Sequence, residues 1–481
     1  MKKVLSIAAI ASITSFSYAS GGPSTSVDDL RAELEQLKQQ VAELKEAQEK
    51  INLKALKRQI REIKAHDAGD NIKWHVDFRT AYDVVGYKIQ NGTDSWNGVF
   101  SNRLWLGMGF APTQHIVFKG LISYYKAYGQ MTGPAAGNQG SGFNYFDWIV
   151  NETPNPAGEL RVKEAYWLYL GDSFLGTNIP WTASLGRRPA TDGLLVSYRE
   201  DQDPKSPLGH IINTEFDGAS FKFNLENVTH VPGMYFKLCM GRGLTNANIR
   251  YATQPQGAQY TKVPNWNNTD LAGFIFVPYD DGQYSVHTTA FKAWNLPGMV
   301  APTYNLRQVG DMYGAAVSFL AQGIGDGISD FLDDTNAFIS FAWSQTDPTN
   351  GNSMLGATDS KNGTSVYVGA NWPCQLLPDA RAGIEYNHGS KYWRSFTYAE
   401  DTLAGSKLAA RGDAYEVWLT KNLIGKTLTA QLRYTYIDYD YTGSQGFFGK
   451  AGAPYKITSL PNKQQAVDTA QDLRLYIRYR Y

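Results

Sequence analysis

The last nine residues constrain this chain more than any other stretch. Leu473, Leu475, Ile477, Tyr479 and Tyr481 fall on one side of an extended strand, and Arg474, Tyr476, Arg478 and Arg480 on the other. Soluble sheets also alternate apolar and polar residues. Here, however, the strand ends the chain on an aromatic residue, and the face opposite the apolar one carries three arginines. A lipid-facing side with interfacial tyrosines and a polar inner side is the pattern of a membrane barrel strand.

The amino end reads the same way. Lys2 and Lys3 precede an apolar run from Val4 to Phe16, and Ser17-Tyr18-Ala19 is a small-x-small cleavage site. This is the pattern of a secretory signal peptide over residues 1–19. The run is too short for a spanning helix, which needs roughly 20 apolar residues. No later segment is long and apolar enough to be one. Tyrosine and glycine are abundant, with 30 Tyr, 22 Phe and 46 Gly. That excess suits aromatic girdles and close packing in a barrel. The formal net charge is zero, which gives no reason to expect a nucleic-acid partner. Cys239 and Cys374 stand outside any CxxC motif, and the seven histidines show no metal-ligand spacing. Two free thiols, no metal, no cofactor and no enzymatic role are the expectations.

Between the two ends the apolar period changes. In 27–64, Leu30, Leu34, Leu37, Val41 and Leu44 step alternately by four and three residues, the a/d seam of a coiled coil. The segment is expected to be either an oligomerising periplasmic stalk or a single amphipathic helix lying on the barrel rim or plugging it. From residue 71 to 481 the period is two. Clear strands are 74–84, 102–110, 337–343, 366–372, 380–387 and 428–436; 212–228 is weakly patterned. Connectors alternate between short turns (111–114, 231–233, 280–282, 373–379, 422–426) and long Gly-, Asn- and Ser-rich stretches (126–158, 189–211, 243–271, 345–363, 389–412, 439–471). Short turns on one rim and long outer loops on the other predict about 16 antiparallel strands, with 18 as the competitor.

With its closing aromatic strand, signal and alternating connectors, the chain resembles bacterial outer-membrane porins. More narrowly, it is similar to porin-like proteins with an amino-terminal coiled coil, some of them catalogued only as families of unknown function. The coiled coil is a departure from general-diffusion porins. The resemblance implies an outer-membrane channel for small hydrophilic solutes, in the lipid bilayer and as a homotrimer, with its amino-terminal segment in the periplasm. Tyr481 would be the assembly mark. A substrate-specific channel and an anchoring protein with surface loops are the alternatives. In trimeric porins the third long loop folds inward. Taken as that third connector, 187–213 offers Asp192, Glu200 and Asp201, with Arg187 and Arg188, as constriction residues. These acids would face inward-pointing Arg103, Arg381, Arg433, Arg474 and Arg478, setting up a transverse field. The competing view is an outer loop with solvated charges and arginines that merely wet the lumen.

Overall fold

The computed structural model describes Lys38 and residues 72–130, 160–188, 193–200, 202, 205–250, 259–262, 266–300, 305–325, 327–349, 351–397, 401–446 and 448–481. The chain divides into two compact units, Met1–Lys64 and Ala65–Tyr481. Of the first, only Lys38 is described; it is helical and exposed. The signal peptide and the 27–64 seam otherwise lie outside the described residues.

The second unit is a closed barrel of sixteen antiparallel strands. They are β1 Lys73–Gln90, β2 Ser95–Phe110, β3 Ile116–Ala127, β4 Arg161–Gly171, β5 Trp181–Arg188, β6 Phe216–Asn224, β7 Tyr235–Leu244 and β8 Thr269–Asp280. The circuit continues with β9 Tyr284–Val300, β10 Asn305–Gln322, β11 Asn336–Pro348, β12 Asn362–Pro373, β13 Ala380–Gly389, β14 Gly412–Ile424, β15 Leu428–Tyr439 and β16 Ala466–Arg480. The weakly patterned region thus contributes one strand, β6, and the eighteen-strand alternative is excluded.

Closure joins β1 to β16, with Arg79 opposite Arg478 and Asp83 opposite Arg474. The pairing runs to the final residue: the Tyr481 amide donates to Val76 O at 2.9 Å, and the Val76 amide donates to Tyr481 O at 2.8 Å. A barrel satisfies every strand edge this way, which a membrane requires because hydrocarbon offers no hydrogen bonds.

Two-residue periodicity sorts the side chains as the sequence implies. Leu473, Leu475, Ile477, Tyr479 and Tyr481 are exposed on the outer face, while Arg474, Tyr476 and Arg478 are buried inside. In β15, Leu432 and Tyr434 point out, and Thr429, Gln431, Arg433 and Thr435 point in. Phe78, Trp167, Phe274, Phe341 and Val417 extend the exposed apolar surface around the wall.

Several connections on the rim shared with Tyr481 are short, such as 111–115, 281–283 and 425–427, whereas 323–335 is longer and holds the helical turn Asp330–Asp333. The 225–234 connector is longer than the expected 231–233 turn, because one helical turn, Glu226–Thr229, is inserted. On the other rim the first connection is not a long loop but the four residues 91–94. Hence 189–215 is third in order on its rim although second among the long loops. Cys239 lies in β7, Cys374 follows β12, and both thiols are free.

Candidate functional site

A sixteen-strand barrel is too wide for wall side chains to fill. Here chain from two loops fills much of it. The first is 193–215. Its two legs cross closely: Gly193 pairs with Lys205, and a Cβ on Gly193 would meet Pro207 O at 2.5 Å. Only glycine permits that approach. Leu194, Leu195, Val196, Leu208, Ile211 and Ile212 are buried against inward-facing Phe291, Met312, Phe338 and Tyr367. At the centre, His210 spans two wall hydroxyls, with Nδ1 2.9 Å from Ser340 Oγ and Nε2 2.9 Å from Ser365 Oγ. Burial, only partly offset by hydrogen bonding with Asn387, pushes the imidazole pKa down to about 3. The ring is therefore neutral at physiological pH. Farther along, Arg199 crosses to the opposite wall. Its Nη1 donates to Glu416 Oε1 at 2.7 Å, and its carbonyl accepts from Gln431 Nε2 at 3.0 Å.

The second loop connects β13 to β14. Its residues 396–397 pair in parallel with 212–213 of the first loop. Trp393, Phe396 and Leu408 join the apolar cluster of the first loop. This loop was expected outside the barrel; 401–411 instead lies within it. Asp401 is the reason. Arg79 grips both carboxylate oxygens, with Nη2 2.7 Å from Oδ1. Arg474 Nη1 lies 3.0 Å from Oδ1, and Arg103 and Arg433 approach to 3.7 and 3.9 Å. The Asp401 carbonyl accepts further hydrogen bonds from Arg433 and Arg474. Burial alone raises a carboxyl pKa, but Arg79 and then Arg474 hold Asp401 well below the usual carboxylate range. Six residues on, Lys407 binds Glu385 and Glu416, the latter at 2.7 Å. Arg411 closes the loop by donating to Trp393 O at 2.9 Å, Thr442 O at 2.9 Å and Gly452 O at 2.7 Å.

The wall arginines are therefore not water-facing. Arg79, Arg103, Arg433, Arg474 and Arg478 are at most 2 % exposed. Besides Asp401 they meet Asp83, paired with Arg474, and Asp77, 2.5 Å from Arg478. Among the described residues, the loop acid that faces the arginine wall is Asp401 of 401–411. Of the acids expected in 187–213, Asp192 and Asp201 lie outside the described residues, as does the side chain of Glu200. Arg188 points inward, its guanidinium 4.2 Å from the Tyr166 ring centroid. Arg187 does not. Adjacent strand residues face opposite sides, and Arg187 sits on the outer face 3.5 Å from exposed Asp217. Arg381 is also apart from the cluster; it donates to Asn371 Oδ1 at 2.7 Å and to Asp334 O at 2.6 Å near the short-turn rim.

The sequence reading missed Asp401, Lys407, Glu385, Glu416 and His210. One signal was present. A solvated loop seldom carries Trp393, Phe396, Leu403 and Leu408 within sixteen residues, since apolar residues of that size favour burial.

Residues 93–481 match the model of a family described as "Protein of unknown function (DUF3373)". The chain belongs to that family. No curated protein matches it in sequence. Among solved structures, it is similar to Pseudomonas putida OprB in its high-pH structure, with 12% identity and a TM-score of 0.46, covering 87% of this chain and 96% of that one. It is similar to an anion-selective porin from Comamonas acidovorans at 10% identity and TM-score 0.46, over 85% and 99% of the two chains. For Salmonella typhi OmpF in complex with daunomycin the values are 10%, 0.45, 86% and 99%.

Proposed function

We propose that this protein is an outer-membrane channel for small hydrophilic solutes and ions, narrowed by 193–215 and 401–411. One observation carries the reading: a closed sixteen-strand wall is apolar outside and lined inside by charged residues. An apolar belt makes the bilayer the environment this surface fits. A fully packed core would favour apolar residues there, because burying ions is costly. Arg103, Arg433, Arg474 and Arg478 then act as ordered wall charges whose field is cancelled locally, the first three by Asp401 and Arg478 by Asp77, and Arg188 as a charge beside the narrowing. Tyr481 is the assembly mark, since its backbone completes the closing strand pair. Signal peptide, periplasmic stalk and homotrimer belong to the same proposal, on the resemblance read from sequence.

The apolar cluster inside the barrel favours a narrow conduit over a wide sieve. It also supports a second reading, in which the barrel only anchors surface loops. Single-channel recording of the purified full chain in planar bilayers separates the two. Stepwise conductance is the expected result. A protein that inserts, retains its heat-modifiable mobility and yet passes no current is an anchor.

A further inference from the structure

Most charges inside the barrel are matched. Asp401 answers the arginine wall, Lys407 answers Glu385 and Glu416, Lys163 lies 2.9 Å from Glu215, and Lys205 lies 2.9 Å from Glu164. Three cations on the inner faces of β5, β6 and β7 break the rule. Among the described residues, no carboxylate oxygen comes within 4.0 Å of Arg188, Lys222 or Lys237. Glu164, the acid in electrostatic reach of Arg188, is engaged by Lys205. Asp280 acts on Lys222 only from a distance.

The arrangement is worse than three isolated charges. Lys222 and Lys237 are direct cross-strand partners, and like charges directly opposite destabilise a sheet. Arg188 and Lys237 are also more than nine-tenths buried, at 8% and 9% exposure. Lys237 has one neutral partner, Ser206 Oγ at 2.9 Å. Lys222 rests 3.9 Å from the Tyr235 ring centroid. Arg188 keeps a buried Nη1 with no hydrogen-bond partner. Buried charges are normally paired.

A cavity of about 40 Å³ lies between this wall and the 193–215 loop. Arg188, Lys237, Ser220 and Cys239 line it, with Ile212 and Phe216 among its apolar walls. One water needs roughly 10–15 Å³ on the same measure, so the space suits one small ion with a water or two. Apolar walls lower the local dielectric and strengthen attraction to a cation pair. We propose that this pocket binds a small inorganic anion, held by Arg188 and Lys237, with Lys222 supplying additional positive charge. As a statement about solutes it rests on the channel reading above and assigns the lumen to anions; as a statement about binding it stands alone.

The test separates the two. The detergent-solubilised full-length barrel is titrated with chloride and followed by 35Cl line broadening, with inorganic phosphate as competitor. Saturable broadening is expected. Lys222→Gln combined with Lys237→Gln should weaken it about tenfold, the scale of one lost charged hydrogen bond. Lys237→Arg should hold affinity within about threefold, and exposed Lys88→Gln should change nothing. If the double variant does not assemble, Lys222→Gln alone should still weaken binding, by about threefold. Absence of saturable broadening, or neutralised variants that match the parent, overturns the site. Binding without bilayer conductance overturns the channel and leaves the site. Conductance without binding does the reverse.

Discussion

The two loops inside the barrel occupy neighbouring space but differ in what holds their centres. The 193–215 segment docks at its centre through aliphatic side chains and neutral hydrogen bonds, with His210 between Ser340 and Ser365, and through the ion pairs Arg199–Glu416, Lys205–Glu164 and Lys163–Glu215 on either side. The 401–411 segment docks through charge, with Asp401 among four guanidiniums and Lys407 between two glutamates. Hydrophobic docking is roughly proportional to area and indifferent to which atoms meet. Ionic docking in a buried site depends on every partner being present. One barrel therefore carries a loop whose apolar centre should tolerate substitution at its contacts and a loop held at its centre by charges that should not.

The largest effect is expected at Asp401. Asp401→Asn removes the charge that the arginine wall surrounds, and breaking a buried pair costs about 3–5 kcal/mol. Hydrogen exchange should accelerate across 401–411 and much less across 205–215, and any channel current should rise. Equal loosening of both loops would mean that they dock as one unit and would erase the contrast.

Acid should act in the opposite order. His210 has its docked pKa lowered to about 3, so an undocked ring of ordinary pKa, about 6.5, binds protons that the docked ring refuses. Docking of 193–215 is then independent of pH above about 6.5. Below that it weakens by about 1.4 kcal/mol per unit, or about 2 kcal/mol by pH 5. Asp401 is depressed below its usual value of 3.8, so its contribution is complete above that value and fades only as pH falls beneath it. Between pH 6 and 4.5, exchange should rise over 205–215 and stay flat over 401–411 in the parent. His210→Asn should abolish the dependence. A pH-independent 205–215 in the parent would show that the imidazole is not what holds it.

The smallest effect belongs to Arg187. Its partner Asp217 is exposed on the outer face, and such pairs contribute about 0–1 kcal/mol. Arg187→Gln should leave both loops, and the reversal potential in a salt gradient, as they are. A shift in selectivity would put its side chain in the lumen and reopen the inward role expected from sequence.

The wall of this molecule was legible and its filling was not. Alternation assigns Leu473 to the lipid side and Arg474 to the interior because strand geometry is local: each residue's side is set by its neighbours. The same rule separates Arg187 from Arg188, a distinction lost when the two were grouped by charge rather than by parity. Strand ends were read short, as in 102–110 for β2, because Ser95, Asn97 and Gly98 interrupt the pattern near the rim while the backbone pairing continues. Loop direction is not local. Whether 401–411 turns in or out depends on arginines from β1, β2, β15 and β16, and nothing near Asp401 in sequence encodes them. His210 likewise acquires its role from Ser340 and Ser365, more than a hundred positions away.

Those long separations bear on the order of events during assembly. Arg79 stands near the start of the barrel and Arg474 near its end, 322 and 73 residues from Asp401 respectively. The two guanidiniums become neighbours only after β1 meets β16. Until that seam zips, Asp401 lacks part of its counter-charge, and entering a low-dielectric interior is costly for an under-compensated carboxylate. Entry of 401–411 should therefore come late in folding. Its arrival would be a molecular receipt that the ring has closed, and a chain stalled one strand short would keep this loop in water, accessible to chaperones and proteases.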